Sequence, residues 1–115
     1  MGSFGEKLRE LRRLAGVSQR ELAHSTNLDF SYISKLENDR NSPPAADTIL
    51  KICEVLGVSS EPLLALTGKI PSTIQQNLGS SEAAQEFLRE SMRLNLSEEE
   101  WRSLSQQVRR LRCEE

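Results

Sequence analysis

The tightest constraint on this chain lies between Ser18 and Asn38, where one helix must stop, turn and give way to another within a very short span. Ser18 with Glu21 three residues on forms a capping box, in which each side chain satisfies an amide that helix geometry leaves without a partner. Leu22 and Ala23 supply the apolar side of that helix. Asn27 stands at the turn, where asparagine accepts positive φ more readily than most non-glycine residues. A further helix is expected from about Asp29, its N-cap, to Glu37, with Leu28, Ile33 and Leu36 as its buried stripe. Two short helices joined this tightly, with small Ala23 at their closest approach, leave the second with one anchored face and one outer face. The outer face here carries Phe30, Ser31, Ser34, Lys35 and Asn38.

Helical periodicity continues on both sides. Phe4, Leu8, Leu11, Leu14 and Ala15 recur at helical spacing ahead of Gly16, a C-cap; Arg9, Arg12 and Arg13 between them read as a solvated face. Asn38 to Pro44 is a loop by composition. Asp47 is expected to cap a helix bearing Ile49, Leu50, Ile52, Cys53, Val55 and Leu56, closed by Gly57. Ser59 and Ser60 open a short fifth helix with Pro62 in its first turn, Leu63, Leu64 and Leu66 inward, and Gly68 at its end. Pro71 to Leu78 predicts another short helix, broken by Gly79-Ser80-Ser81. Glu82 to Leu94 follows, with Ala83, Ala84, Phe87, Leu88 and Met92 apolar. Ser97 and Glu100 make a second capping box, opening a last helix to about Arg112. Its apolar residues Trp101, Leu104, Val108 and Leu111 are spaced three, four and three apart, an a/d stripe over two heptads. No β-alternation or internal repeat interrupts this, so the fold class is all-α: five helices, then C-terminal helices.

Bulk properties narrow the function. A chain of 115 residues with 37% hydrophobic and 28% charged residues can fold into one domain plus an appendage, and is not a disordered polymer. The net charge of −2 gives no overall basic footprint for nucleic acid. The distribution says more, since residues 1–40 carry a net +1 and residues 41–115 a net −3. No CxxC spacing exists and His24 is the only histidine, which argues against a zinc site. Cys53 reads as a core thiol and Cys113 as a tail thiol in a reducing cytoplasm. No apolar run has transmembrane length and no signal-peptide pattern occurs, so no membrane contact is expected. Catalytic carboxylate pairs, a nucleophile with its base, and phosphate-binding glycine loops are all missing from the pattern. The sequence does not read as an enzyme, and no cofactor is expected.

The segment VSQRELAHSTNLDFSYISKLEND, from Val17 to Asp39, resembles the helix-turn-helix of Xre/Cro-family repressors. LRELRRLAG before it is similar to that family's first helix, and ILKICEVLGVS after it to the fourth. The resemblance covers about residues 4–68 and implies a lambda-repressor-like DNA-binding domain there. It also implies a role for Gln19, which in such repressors contacts the DNA backbone and orients the base reader. By the same resemblance the base-reading positions fall on Phe30, Ser31 and Lys35. Lys35 suits guanine O6 and N7, while Phe30 departs from the usual polar residue and suits a thymine methyl. Tyr32, Asn38, Arg40 and Asn41 are placed to meet phosphates, with Ser34 beside the readers. Two alternatives stay open: Phe30 also reads as packing against the first helix or the loop, and Tyr32 as a structural residue. Asp39 stands where the family usually has glycine, which sets a negative charge near the expected phosphates.

Residues 69–115 are expected to form a dimerisation or interaction region. A lone helix-turn-helix makes few base contacts, and pairing two lets them reach half-sites about one helical turn (~34 Å) apart. The Trp101, Leu104, Val108 and Leu111 seam suits a homodimer, or packs back on the chain's own helices. The tail's length and helix order are also similar to radiation-response repressors of the Xre type, in which a partner zinc peptidase cuts the C-terminal dimerisation region. The leading expectation is a cytoplasmic repressor that binds a palindromic operator in double-stranded DNA as a homodimer. The alternative is an antitoxin or adaptor whose C-terminal region binds a protein partner.

Overall fold

The computed structural model describes residues 3–112; the tail thiol expected at Cys113 lies outside the described residues. Among those residues there are eight helices and no strand: α1 (Phe4–Leu14), α2 (Gln19–Thr26), α3 (Phe30–Glu37), α4 (Ala46–Leu56), α5 (Glu61–Thr67), α6 (Ser72–Gly79), α7 (Glu82–Leu94) and α8 (Glu98–Arg110). The chain divides into two compact units between Gln75 and Gln76.

Local chemistry sets most helix ends of the first unit. Both halves of the Ser18–Glu21 capping box form, with the Ser18 amide donating to Glu21 Oε1 at 2.8 Å and the Glu21 amide to Ser18 Oγ at 3.0 Å. Asn27 takes the left-handed conformation at φ 58° and ends α2. A capping box that the sequence reading overlooked, Ser3 with Glu6, starts α1. Asp29 has the extended backbone of an N-cap, but its side chain makes no capping hydrogen bond.

The core forms where α1 to α5 converge. Leu8, Leu22, Ile33, Leu36, Ile49, Ile52 and Leu63 are fully buried, joined by Phe4, Ala23, Cys53 and Leu56. Each such aliphatic side chain contributes roughly 1.5–3 kcal/mol on leaving water. α3 packs on both α1 and α2, so its inner residues are held from two sides.

Three expectations need correction. Leu14 is 78% exposed. The buried stripe of α1 runs Phe4, Leu8, Arg12, and a residue two positions past Arg12 points to the far side of the helix. Leu66 is likewise exposed, because α5 turns Leu63 inward and leaves Leu64 and Thr67 half-buried. Asp47 does not cap α4, whose N-cap is Ala45. Its carboxylate instead accepts from the Ser72 amide at 3.0 Å and Ser72 Oγ at 2.7 Å, joining the first turn of α4 to the start of α6. Those bonds hold the Asp47 carboxyl below its ordinary range.

At Gly5 the backbones of α1 and the end of α3 approach closely. A Cβ on Gly5 would stand 2.5 Å from the Leu36 carbonyl oxygen and 2.6 Å from that of Glu37. Only a residue without a side chain lets the two helices meet at this distance. Gly5→Ala should therefore lower the unfolding free energy by about 1–3 kcal/mol, the ordinary cost of forcing extra volume into a packed contact. Urea denaturation followed by circular dichroism measures this. A variant as stable as its parent would mean that the contact yields without cost.

Candidate nucleic-acid interface

Glu37 closes the inner face of α3. It follows Ile33 by four residues and Leu36 by one, and so falls on the buried stripe, with only 1% of its surface exposed. A carboxylate there is costly unless every oxygen has a partner. Arg12 of α1 supplies the main one: its Nε donates to Glu37 Oε2, and its Nη2 donates to Oε1 at 3.0 Å. Arg12 Nη1 donates to the Val17 carbonyl at 2.9 Å, which fixes the turn between α1 and α2. Gln19, the first residue of α2, donates from Nε2 to Glu37 Oε1 at 2.9 Å. Arg9 adds a longer contact from Nε at 3.4 Å and reaches Asn38 Oδ1 at 2.8 Å. One buried carboxylate thus ties α1, α2 and α3 together. Burial alone raises the Glu37 carboxyl, but the bonds from Arg12 and Gln19, the Arg12 charge and Arg9 outweigh it and hold it below the ordinary carboxylate range.

This corrects the reading of Arg9, Arg12 and Arg13 as one solvated face. Arg12 is buried and Arg9 half-buried against Glu37, and only Arg13 is exposed. The signal was present in Glu37, a charge at i+4 from a buried isoleucine with two arginines three apart on a neighbouring helix, but pairing them needs the tertiary fold.

The outer face of α3 exposes Phe30, Ser31 and Lys35, with Ser34 half-buried between them. Tyr32 is half-buried and packs against the core. Asn38 lies at the end of the same helix with both ends of its amide engaged, Nδ2 donating to the Ser34 carbonyl at 2.9 Å and Oδ1 accepting from Arg9. Arg40 and Asn41 are exposed in the following loop. Lys69 anchors that loop's far end, donating from Nζ to the carbonyls of Pro43 and Pro44 at 2.9 and 2.8 Å. Asp39, at φ 57°, is exposed, but its carboxylate does not stand free. Its carboxylate accepts from the Gly5 amide at 2.9 Å and from Ser3 Oγ at 2.6 Å, so it caps α1. Beside α3, an open cleft of about 580 Å³ is walled in part by Arg9, Arg13, Gln19, Arg20 and Phe30. Among the described residues, Arg13, Arg20, Lys35 and Arg40 are exposed and take part in no ion pair. The cleft side of this face is cationic, with four arginines and no acidic side chain in its lining, although the chain is net negative.

A helix-turn-helix family profile matches residues 8–63, from the second half of α1 through α4 to the start of α5. The transcriptional regulator ImmR of Bacillus subtilis is 33% identical over 101 residues, covering 86% of this chain and 79% of ImmR. The chain belongs to the helix-turn-helix transcriptional regulators. A second B. subtilis relative, the HTH-type regulator RghRB, is 36% identical over 85 residues, 74% of this chain but only 61% of RghRB's own length. The biofilm regulator SinR, solved in complex with DNA, superposes with a TM-score of 0.50 at 31% identity, covering 53% of this chain and 97% of that one.

Within the regulator, no group of His, Cys, Asp and Glu among the described residues is arranged to hold a metal ion. No described helix is long and apolar enough to cross a membrane. Cys53 is buried, and burial pushes its thiol above the ordinary value.

The regulator should depend on Glu37 in a pH-dependent way. An unfolded glutamate titrates near 4.3, and the folded value lies lower. The stability Glu37 contributes is therefore present above about pH 4 and is lost as pH falls through the folded value. Glu37→Gln, which leaves Arg12 buried without its counter-charge, should cost about 3–5 kcal/mol at pH 7. The gap between variant and parent should narrow as the pH drops below about 4. Denaturant titrations of both proteins from pH 7 to pH 2.5 check it, and a gap that stayed constant would remove ionised Glu37 from the account.

Proposed function

We propose that this regulator is a sequence-specific repressor that binds a palindromic operator in double-stranded DNA as a homodimer. The observation that carries the reading is the two-sidedness of α3. Ile33, Leu36 and Glu37 anchor it inward, while Phe30, Ser31 and Lys35 stand outward on a cationic face. B-DNA's major groove admits one α-helix and presents a distinct donor and acceptor pattern for each base pair. In this reading Lys35 contacts guanine, Phe30 a thymine methyl, and Ser31 and Ser34 the bases or sugars beside them. Tyr32, Asn38, Arg40, Asn41 and Gln19 orient the helix from the phosphate side, Gln19 and Asn38 doing so from positions already fixed by Glu37 and Arg9. The DNA-bound state of SinR supports this use of the shared fold. Residues 4–68 serve as the DNA-binding domain, and repression follows from occupying the operator.

Residues 69–115 serve to pair protomers. Val108 of α8 is 63% exposed and Leu111, at its C-cap, 80%, while Trp101 and Leu104 are half-buried. Leu104 lines a cleft of about 340 Å³ shared with Phe87 and Leu94 of α7. Exposed apolar side chains on one helical face favour burial against a second copy.

Operators selected from a random DNA pool provide the substrate for two tests. Lys35→Ala should weaken operator binding by about 1–3 kcal/mol and relax the preference at one base position, as read in fluorescence anisotropy titrations on single-base variants. Equal loss on every sequence would assign Lys35 to phosphate instead. Val108→Glu combined with Leu111→Glu should halve the mass measured by sedimentation equilibrium without changing helix content. An unchanged dimer would take α8 out of the interface, and a parent protein that is monomeric would favour a protein partner for this region.

A further inference from the structure

The Arg20 guanidinium carbon lies 4.5 Å from the centroid of the Phe30 ring. Arg20 belongs to the first turn of α2 and Phe30 is the first residue of α3, so the stack carries a cation from one helix to the leading end of the other. Phe30 is 40% exposed and holds no core position, and Arg20 is exposed as well. Two exposed side chains stacked across a turn give up conformational freedom that exposed side chains ordinarily keep.

What the stack leaves open is specific. Arginine lies on an aromatic ring through its flat face, which directs its N–H donors sideways in a rigid fork. Among the described residues no hydrogen bond or ion pair occupies the Arg20 guanidinium. The fork matches guanine O6 and N7, and the exposed part of the Phe30 ring matches the thymine methyl. The spacing matters too: groups stacked 4.5 Å apart are separated by little more than the ~3.4 Å rise between neighbouring base pairs. Phosphate contacts need no such arrangement, and exposed Arg13 and Arg40 can supply them.

We propose that Arg20 and Phe30 act as one base-reading pair, Arg20 on a guanine and Phe30 on the methyl of the adjacent thymine in each half-site. The proposal rests on the operator-binding reading above and adds to it a specificity-determining residue in α2. Phe30 fixes the plane of the Arg20 fork, so the two preferences are coupled.

The test uses the full chain and its selected operator, with every half-site base pair changed singly. Arg20→Ala should lose roughly 5- to 150-fold in affinity for the operator, and the loss should vanish on duplexes already lacking one particular guanine. Arg20→Lys keeps the charge without the fork, so it should show the same relaxed preference and an unchanged salt dependence. Replacing the neighbouring thymine with deoxyuridine, which removes only the methyl, should weaken the parent about fourfold and leave Phe30→Ala unaffected. Phe30→Ala should also weaken the guanine preference, the sign of coupling. An Arg20→Ala loss that is equal on every sequence, with a shallower salt dependence, would make Arg20 a phosphate contact and overturn the pair while leaving the operator reading intact. A parent protein that selects no sequence at all would overturn both.

Discussion

The buried ion pair between Glu37 and Arg12 governs the geometry of everything that faces outward. A carboxylate with 1% exposure would destabilise this small unit if it stood alone. Its value lies in having only one satisfactory arrangement. Arg12 from α1, Gln19 from α2 and Arg9 from α1 must all converge on the last residue of α3 before the charge is compensated. An apolar contact tolerates sliding, since a leucine gains nearly as much in one register as in the next. A forked arginine on a carboxylate does not. The azimuth and axial position of α3 are therefore set at its C-terminal end by hydrogen bonds, and along its length by Ile33 and Leu36. A short helix needs such external anchoring, because helices of this length are marginal without tertiary contacts.

The same corner reconciles an acidic chain with a cationic face. Net charge of −2 speaks for the whole molecule, yet two acidic groups at the end of α3 are engaged within the fold. Glu37 is spent on Arg12 and Asp39 on the start of α1, where the amides and the helix dipole favour a negative charge. Among the described residues, the exposed cations here that take part in no ion pair are Arg13, Arg20, Lys35 and Arg40.

Sequence legibility followed the range of the interaction. The Ser18–Glu21 and Ser97–Glu100 capping boxes, the left-handed Asn27 and the glycine stops depend on neighbours within a few positions, and each appears in the structure where the residues announced it. Apolar spacing likewise located the core of α3 and α4. Position within a stripe was less legible at helix ends, which is why Leu14 and Leu66 proved exposed: a continued period cannot say where the neighbouring helix stops. Arg12 and Asp47 were misread for a related reason. Their partners lie 25 residues away in sequence, and a role assigned from near neighbours is replaced by one that a distant residue sets. Gly5 carried no local signal, since nothing near it requires unusual backbone; its constraint is the carbonyl pair of α3.

Asp39 shows how a departure from a familiar pattern is accommodated. The residue after Asn38 needs positive φ to leave α3, and glycine reaches φ 57° without strain whereas aspartate incurs a cost of roughly 1 kcal/mol. Two hydrogen bonds to Ser3 and Gly5 offset that cost, and glycine has no side chain with which to make them. The substitution therefore trades backbone ease for a tie between the end of α3 and the start of α1. That tie lies next to the Gly5 contact, and together with Lys69 on Pro43 and Pro44 it brackets the loop that carries Arg40 and Asn41. A loop pinned at both ends presents its cation and its amide at a fixed distance from α3, so loop and helix form one rigid frame rather than two that move independently.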